Sequence, residues 1–251
     1  MDEQPQILTG GNSNIVVKQG ATVLRNTGAW SPFIHSLLQY LTTNGFTESP
    51  MLLEATETQE RLSFIEGEVG HYPLKPYMRS DEIVMEAAEL LRRYHDLTQH
   101  VVVPAGAVFQ HAVHQGEPYE VICHNDFAPY NCVFRNNHLV GLIDFDVASP
   151  GTRLWDIAYA VYRYAPLAND AHCADQGWAQ PPDRAYRLKL FCDAYGLGDR
   201  APLVETVIHR LERLVAYMQV TSSNLEHIPI YLADIAYIRD NQPHFMDALA
   251  G

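Results

Sequence analysis

The 251-residue sequence predicts an α+β fold, strand-rich at its start and mainly helical afterwards. Three observations carry that prediction. Before residue 66 the apolar residues come in short runs separated by polar, Gly- and Asn-containing turns, which is the pattern of short strands. Beyond residue 80 they recur at helical spacing over longer segments. Between Asn131 and Asp144 the spacing is again that of a hairpin. Apolar residues make up 47% of the chain and charged ones 19%, as in soluble globular proteins with a substantial core.

The N-terminal elements follow in order. Residues 6–9 form a first strand, 10–14 (GGNSN) a loop, 15–18 a second strand, Gln19-Gly20 a turn, and 21–25 a third strand. The 10–14 loop can turn backbone N–H groups toward a phosphate, and an ordinary hairpin turn explains it equally well. A helix over 32–41 is expected behind a Ser31 cap with Pro32 in its first turn. Residues 51–55 and 61–65 read as a strand pair around the polar turn 56–60. The Gly- and Pro-rich segment 66–76 marks a boundary, which divides the chain into 1–68 and 69–251.

In the second part, Ser80 caps a helix with Asp81 and Glu82 in its first turn, where acidic groups complement the dipole. Ile83, Ala87, Leu90, Tyr94 and Leu97 form its apolar stripe, leaving Arg92 and Arg93 to solvent. Residues 101–120 read as loop. They hold His111 and His114, but without the helix or the nearby Cys or acidic partner that a transition-metal site needs. Residues 132–135 and 139–143 are strands around an Asn136-Asn137 turn that tolerates positive φ. In that register Arg135 faces His138 and Asn131 faces Leu142. Asp144 then falls on the sheet face of Asn131, roughly 7–8 Å away. Residues 155–164 form a helix stopped by Pro166, and 166–182 a polar, Pro-rich connection. Helices follow over 184–195 (ended by Gly196), 202–220 and 230–239, with a short one at the end.

The chemistry is concentrated in residues 121–162. His124, Asp126, Asn131 and Asp144 lie there, with four residues between Asp126 and Asn131. A carboxylate followed by an amide and a second carboxylate is the set that phosphoryl transfer requires: a base for the attacking hydroxyl and hard oxygens for Mg²⁺. The plainer alternative makes Asp126, Asn131 and Asn136 turn residues around a hairpin.

The segment resembles the catalytic core of the aminoglycoside phosphotransferase and choline kinase-like family. The matching motifs are His-x-Asp at 124–126, Ala-Pro-Tyr-Asn at 128–131, Ile-Asp-Phe-Asp at 143–146 and Trp-Asp-Ile-Ala at 155–158. The resemblance implies a two-lobed protein-kinase-like fold with a small β-rich N-lobe and a larger, mainly helical C-lobe. It implies Asp126 as catalytic base, Asn131 and Asp144 as ligands of Mg²⁺, and Asp156 as the carboxylate that buttresses the catalytic loop. Asn125 stands where the family usually has Gly, an exchange that left-handed backbone there would tolerate. By the same resemblance Asn12, Ser13 and Asn14 form a flap over ATP, and Ser63 and Ile65 meet the adenine edge. Arg25 occupies the position of the family's phosphate-binding Lys; the helix after it offers no acidic partner and has His35 instead.

The implied activity is that of a small-molecule kinase moving the γ-phosphoryl group of ATP to a hydroxyl. The acceptor stays open among aminoglycosides, amino alcohols and other metabolites. Asp170, Asp183, Asp234 and Asp240 are acidic candidates for its pocket, although each also reads as a solvated carboxylate. Arg25 in place of Lys keeps a second reading open, a nucleotide-binding pseudokinase with a regulatory role. A protein kinase ranks last, because no activation segment is evident between Asp146 and Trp155. The net charge of −13 supplies no basic stripe for nucleic acid. No stretch has the apolar length of a membrane helix and no signal peptide is visible. The cysteines at 123, 132, 173 and 192 lack CxxC spacing and read as free thiols packed in the fold. A cytoplasmic location is expected.

Overall fold

The computed structural model describes residues 5–8, 16–111 and 119–251. An antiparallel sheet in the order β1-β2-β3-β5-β4 is built from β1 (Gln6–Leu8), β2 (Val16–Gln19), β3 (Thr22–Asn26), β4 (Leu52–Ala55) and β5 (Gln59–Ser63). Helix α1 (Ser31–Thr43) lies between β3 and β4 and buries Phe33, Ile34, Leu37, Leu38 and Leu41. The expected Ser31 cap is corrected. Trp30 is the cap residue and makes no side-chain bond, while the Ser31 hydroxyl turns back to accept the Gly28 N–H at 2.9 Å.

The rest of the chain is mainly helical. Helix α2 (Asp81–Thr98) is capped by Ser80, whose side chain accepts the Ile83 N–H. Ile83, Ala87, Leu90 and Tyr94 are buried as the stripe requires. Each large apolar side chain so buried contributes roughly 1.5–3 kcal/mol. Helix α3 (Arg153–Tyr164) is almost wholly buried, and Thr152 caps it. Helix α4 (Asp170–Asp175) interrupts the segment expected to be only a connection, nucleated by Asn169, whose side chain accepts the His172 N–H. Helices α5 (Arg184–Tyr195), α6 (Leu203–Thr221), α7 (Ile228–Asp240) and α8 (Gln242–Ala250) complete the chain. Gly196 ends α5 at φ +75°, in left-handed backbone.

Small strands present the loops of the candidate site. β6 (Glu68–Val69) pairs with β8 (Cys132–Arg135), which pairs with β9 (His138–Leu142); β7 (Val121–Cys123) pairs with β10 (Ser149–Gly151). Asn136 and Asn137 have φ of 53° and 66°, so the hairpin turn is the one expected. Its register sets Arg135 opposite His138 as expected but shifts beyond Phe134. Val133 faces Gly141 while Phe134 faces Leu139, so a bulge at Val140 sets Cys132, rather than Asn131, opposite Leu142. Asn131 instead closes a 3₁₀ turn and accepts the Ile143 N–H on its carbonyl at 2.9 Å. Asp144 leaves the strand in left-handed backbone at φ 63°. Asn131 and Asp144 are therefore neighbours by way of a bulge and a left-handed residue, not by a shared sheet face.

Candidate active site

The loop from His124 to Asn131 is held from below by α3. Asp156, in the first turn of that helix, accepts the backbone N–H groups of His124 at 2.7 Å and Asn125 at 2.8 Å. The ring of His95 on α2 lies 3.0 Å from the same carboxylate, and its other nitrogen meets the Tyr195 hydroxyl at 2.8 Å. Burial alone would raise the pKa of Asp156, but the His95 bond and charge and the loop amides outweigh it and hold the carboxyl below its usual range. Asn125 adopts φ 66°. Its carbonyl is taken by buried Arg210 at 2.8 Å and its side chain donates to Val147 O and Ser149 Oγ.

His124 is fully buried, and both its ring nitrogens are engaged. Nε2 meets the Ile143 carbonyl at 3.0 Å, while Nδ1 accepts the Asp126 N–H at 3.3 Å. Only the neutral ring with its proton on Nε2 satisfies both contacts. Burial, opposed by Asp156 and Asp126, lowers its pKa.

Asp126 sits at the mouth of this loop with a donor on each oxygen. The Tyr130 hydroxyl donates to Oδ1 at 2.6 Å, and Asn131 Nδ2 donates to Oδ2 at 2.8 Å and to the Asp126 carbonyl at 2.9 Å. Both acceptors of the Asn131 amide are oxygens, so the NH₂ must face them and Oδ1 must point away. Asp144 keeps half of its side-chain surface open. Behind it, burial and then Asp146 push its pKa up to about 6; Arg25 opposes that rise and Asp126 adds to it. An amide oxygen and a carboxylate are hard oxygen donors of the kind a divalent cation takes; among the described residues no group of three or more His, Cys, Asp and Glu side chains gathers as a metal site.

Arg25 is not a solvated strand end. Its side chain is 10% exposed and donates to Glu60 and, at 2.7 Å, to Asp146, with Asp144 Oδ1 3.7 Å away. Glu60 is the cross-strand partner of Arg25 in the β3–β5 register and also holds the ring of His35. The acidic partner absent from α1 is thus supplied by β5. A search for it on the helix alone misses it, whereas the β3–β5 register finds it.

The remaining expected residues distribute as follows. Ser63 is committed to the sheet, its N–H donating to Met51 O at 2.9 Å and its hydroxyl accepting the Met51 N–H at 2.8 Å. Ile65 packs over Gly141, where an added Cβ would come within 2.9 Å of its side chain. Asn12, Ser13, Asn14 and His114 lie outside the described residues. The ring of His111 lies 4.2 Å from that of Tyr217, tilted by 52°. Among the acidic candidates, Asp170 pairs with Arg184 at 2.6 Å and Asp183 caps α5. Asp240 is exposed. Asp234 corrects the solvated reading: it is fully buried and accepts from Tyr162 at 2.7 Å and from the Asn169 N–H at 2.9 Å, with the His172 ring at 2.5 Å. All four cysteines are buried and free, and burial pushes the Cys132 thiol up to about 12.

Comparison with known proteins places this geometry in a family. The APH family model, described as the phosphotransferase enzyme family, matches residues 103–188. The trifolitoxin immunity protein of Rhizobium leguminosarum bv. trifolii is 35% identical over 196 residues, which cover 76% of this chain and 74% of that protein. The fold is shared with a putative aminoglycoside phosphotransferase of Ralstonia eutropha JMP134 (TM-score 0.64, 12% identity, 96% of this chain and 93% of that one). It is shared with an ethanolamine kinase of Plasmodium vivax (TM-score 0.63, 14% identity, 98% and 83%). It is shared too with an amicoumacin kinase in complex with AMP-PNP and Ca²⁺ (TM-score 0.66, 11% identity, 95% and 87%).

Proposed function

Because the chain belongs to the phosphotransferase enzyme family, we propose that it is a kinase that transfers the γ-phosphoryl group of ATP to a hydroxyl of a small molecule. One observation carries this reading. Asp126 and Asn131 are locked together through the amide NH₂ of Asn131, which leaves the amide oxygen turned away from Asp126, on the residue whose carbonyl takes the N–H of Ile143, the neighbour of Asp144 in the chain. A turn-forming role would not require that orientation.

In this mechanism Asp126 orients the acceptor hydroxyl and takes its proton as the oxygen attacks the γ-phosphorus, and ADP departs with the bridging oxygen. Asn131 Oδ1 and Asp144 are the residues that would hold Mg²⁺, which when bound neutralises charge on the phosphates. Arg25 lies beside Asp144 and would steady phosphate oxygens, with residues 12–14 above them and Ile65 against the adenine. The rate gain rests on positioning and charge stabilisation. The lobes divide at residues 1–68 and 69–251. A cytoplasmic location agrees with this chemistry, and no helix among the described residues is long and apolar enough to cross a membrane.

The test is consumption of Mg·ATP against pooled aminoglycosides, amino alcohols and sugars. Trifolitoxin joins the panel because the 35% identical relative is named for immunity to it. Asp126→Ala should lose on the order of 10²–10⁴-fold in turnover while nucleotide binding persists. Equal transfer by Asp126→Ala would overturn the assignment of the base. Arg25, already donating to Glu60 and Asp146, favours one other reading, nucleotide binding without transfer. A thermal shift with Mg·ATP and no consumption across the panel would select it.

A further inference from the structure

Tyr130, whose hydroxyl donates to Asp126, is the near end of a longer chain. Its oxygen lies 2.8 Å from the hydroxyl of Tyr159. Tyr159 in turn receives two N–H groups of Arg163, from Nε at 3.1 Å and from a terminal nitrogen at 2.7 Å. The direction of every bond is determined. A carboxylate only accepts and a guanidinium only donates. Tyr130 spends its proton on Asp126, so Tyr159 must spend its own on Tyr130.

The two ends are opposite charges that lack any direct ion pair among the described residues. Arg163 is 7% exposed, and its charge is met by the rings of Tyr130, Tyr159, Tyr162 and Tyr231 at 4.7–5.7 Å. Burying a guanidinium without a carboxylate is costly, and here phenol faces and hydroxyls take the carboxylate's place. Asp156, Tyr159 and Arg163 stand at i, i+3 and i+7 on α3, on one face of the helix. That face holds the backbone of the catalytic loop at one end and the side chain of Asp126 at the other.

We propose that Tyr159 and Arg163 are positioning residues for Asp126, acting through the Tyr130 hydroxyl along this one-way hydrogen-bond chain. The inference rests on the phosphotransfer reading, in which Asp126 is the base. With Tyr130 on Oδ1 and Asn131 on Oδ2, the carboxylate plane is set from both sides, and each oxygen keeps a lone pair for a further donor. Linked hydrogen bonds polarise one another, so the charge of Arg163 strengthens the far bond as well as the near one.

The test uses Mg·ATP hydrolysis, with water as the acceptor. Tyr159→Phe keeps the ring and removes only the link; Tyr130→Phe removes the contact with the base. Each should lower turnover about tenfold with KM for Mg·ATP within about twofold, and the double variant should be no slower than the slower single one. Arg163→Lys should retain more activity than Arg163→Met. Multiplying losses, or unchanged turnover in Tyr159→Phe, would overturn the chain. A second measurement needs no activity. In protein labelled with ¹³Cζ-tyrosine, the Tyr130 resonance should move in Arg163→Met and in Asp126→Asn. A Tyr130 signal indifferent to Arg163→Met refutes the chain even in an inactive protein, whereas a responsive signal without hydrolysis points to failure of the phosphotransfer reading alone.

Discussion

Arg25 and Glu60 face each other across β3 and β5, and the guanidinium reaches past its partner to Asp146 at 2.7 Å. One cross-strand ion pair therefore ties the N-terminal sheet to the segment that carries Asp144. Removing Glu60 leaves a buried cation short of one carboxylate and His35 without its partner. Glu60→Ala should cost about 3–5 kcal/mol, the usual result of breaking a buried pair, measured by denaturant unfolding. Arg25→Lys keeps the charge but loses the planar fork. It should raise KM for the nucleotide more than it lowers the unfolding midpoint.

Asp156 accepts three buried donors at once, from His124, Asn125 and His95. Hydrogen bonds to a charged group contribute roughly 1.5–3 kcal/mol each. Asp156→Ala should therefore destabilise the chain by several kcal/mol. Asp156→Asn should lower the melting temperature less, while still slowing turnover because the loop amides lose a charged acceptor. Thermal melting beside a turnover assay separates the two effects.

His124 makes stability depend on pH. Its folded pKa is lowered, chiefly by burial, so below about pH 6.5 the unfolded chain takes up a proton that the folded chain refuses. The stability that depends on a neutral ring is complete above that pH and declines as pH falls, by up to about 1.4 kcal/mol per pH unit. Asp144 acts in the opposite direction, since its raised pKa of about 6 makes the folded chain take up a proton first. The His124 contribution is therefore the difference between wild type and His124→Asn, measured by urea unfolding from pH 7.5 to 5. The decline should vanish in the variant. Asp156, with its lowered pKa, adds a loss only under acid conditions, below the ordinary carboxylate range.

Asp144→Asn separates metal binding from folding. The side chain is half exposed and its carboxylate is opposed by Asp146, so the variant should melt no lower than wild type. If Asp144 holds Mg²⁺, the concentration for half-maximal activity should rise at least about tenfold, the scale on which even outer groups of a metal site act. A lower melting temperature with an unchanged Mg²⁺ requirement would contradict that role.

Features encoded by neighbouring residues were legible from the chain. The Ser80 cap, the apolar stripe of α2 and the Asn136-Asn137 turn each follow from side-chain chemistry within a few residues, whereas the left-handed Asn125 was legible only through the resemblance to a family with Gly there. The spacing of Asp126 and Asn131 likewise anticipated that the two side chains meet, with Asn131 Nδ2 donating to Asp126 Oδ2 at 2.8 Å. The route by which Asn131 and Asp144 become neighbours was misread, because the apolar run 139–143 does not fix a register and Gly141, the one local sign of a bulge at Val140, was read as an ordinary strand residue. Ser31 was misread as a cap because its hydroxyl had a nearer donor in Gly28.

By itself, then, the sequence determined the family motifs, with the residue types that the proposed phosphoryl transfer calls for, and where most strands and helices turn. Tertiary structure alone decided which charges meet. Arg25 reaches Asp146 across 121 positions of chain, Arg210 takes the Asn125 carbonyl across 85, and Asp234 is buried by donors more than 60 positions away. The physical reason is that a buried ionic group is stable only where its partners are desolvated with it. Those partners come from whichever elements the hydrophobic core brings together, and no local pattern along the chain records that encounter.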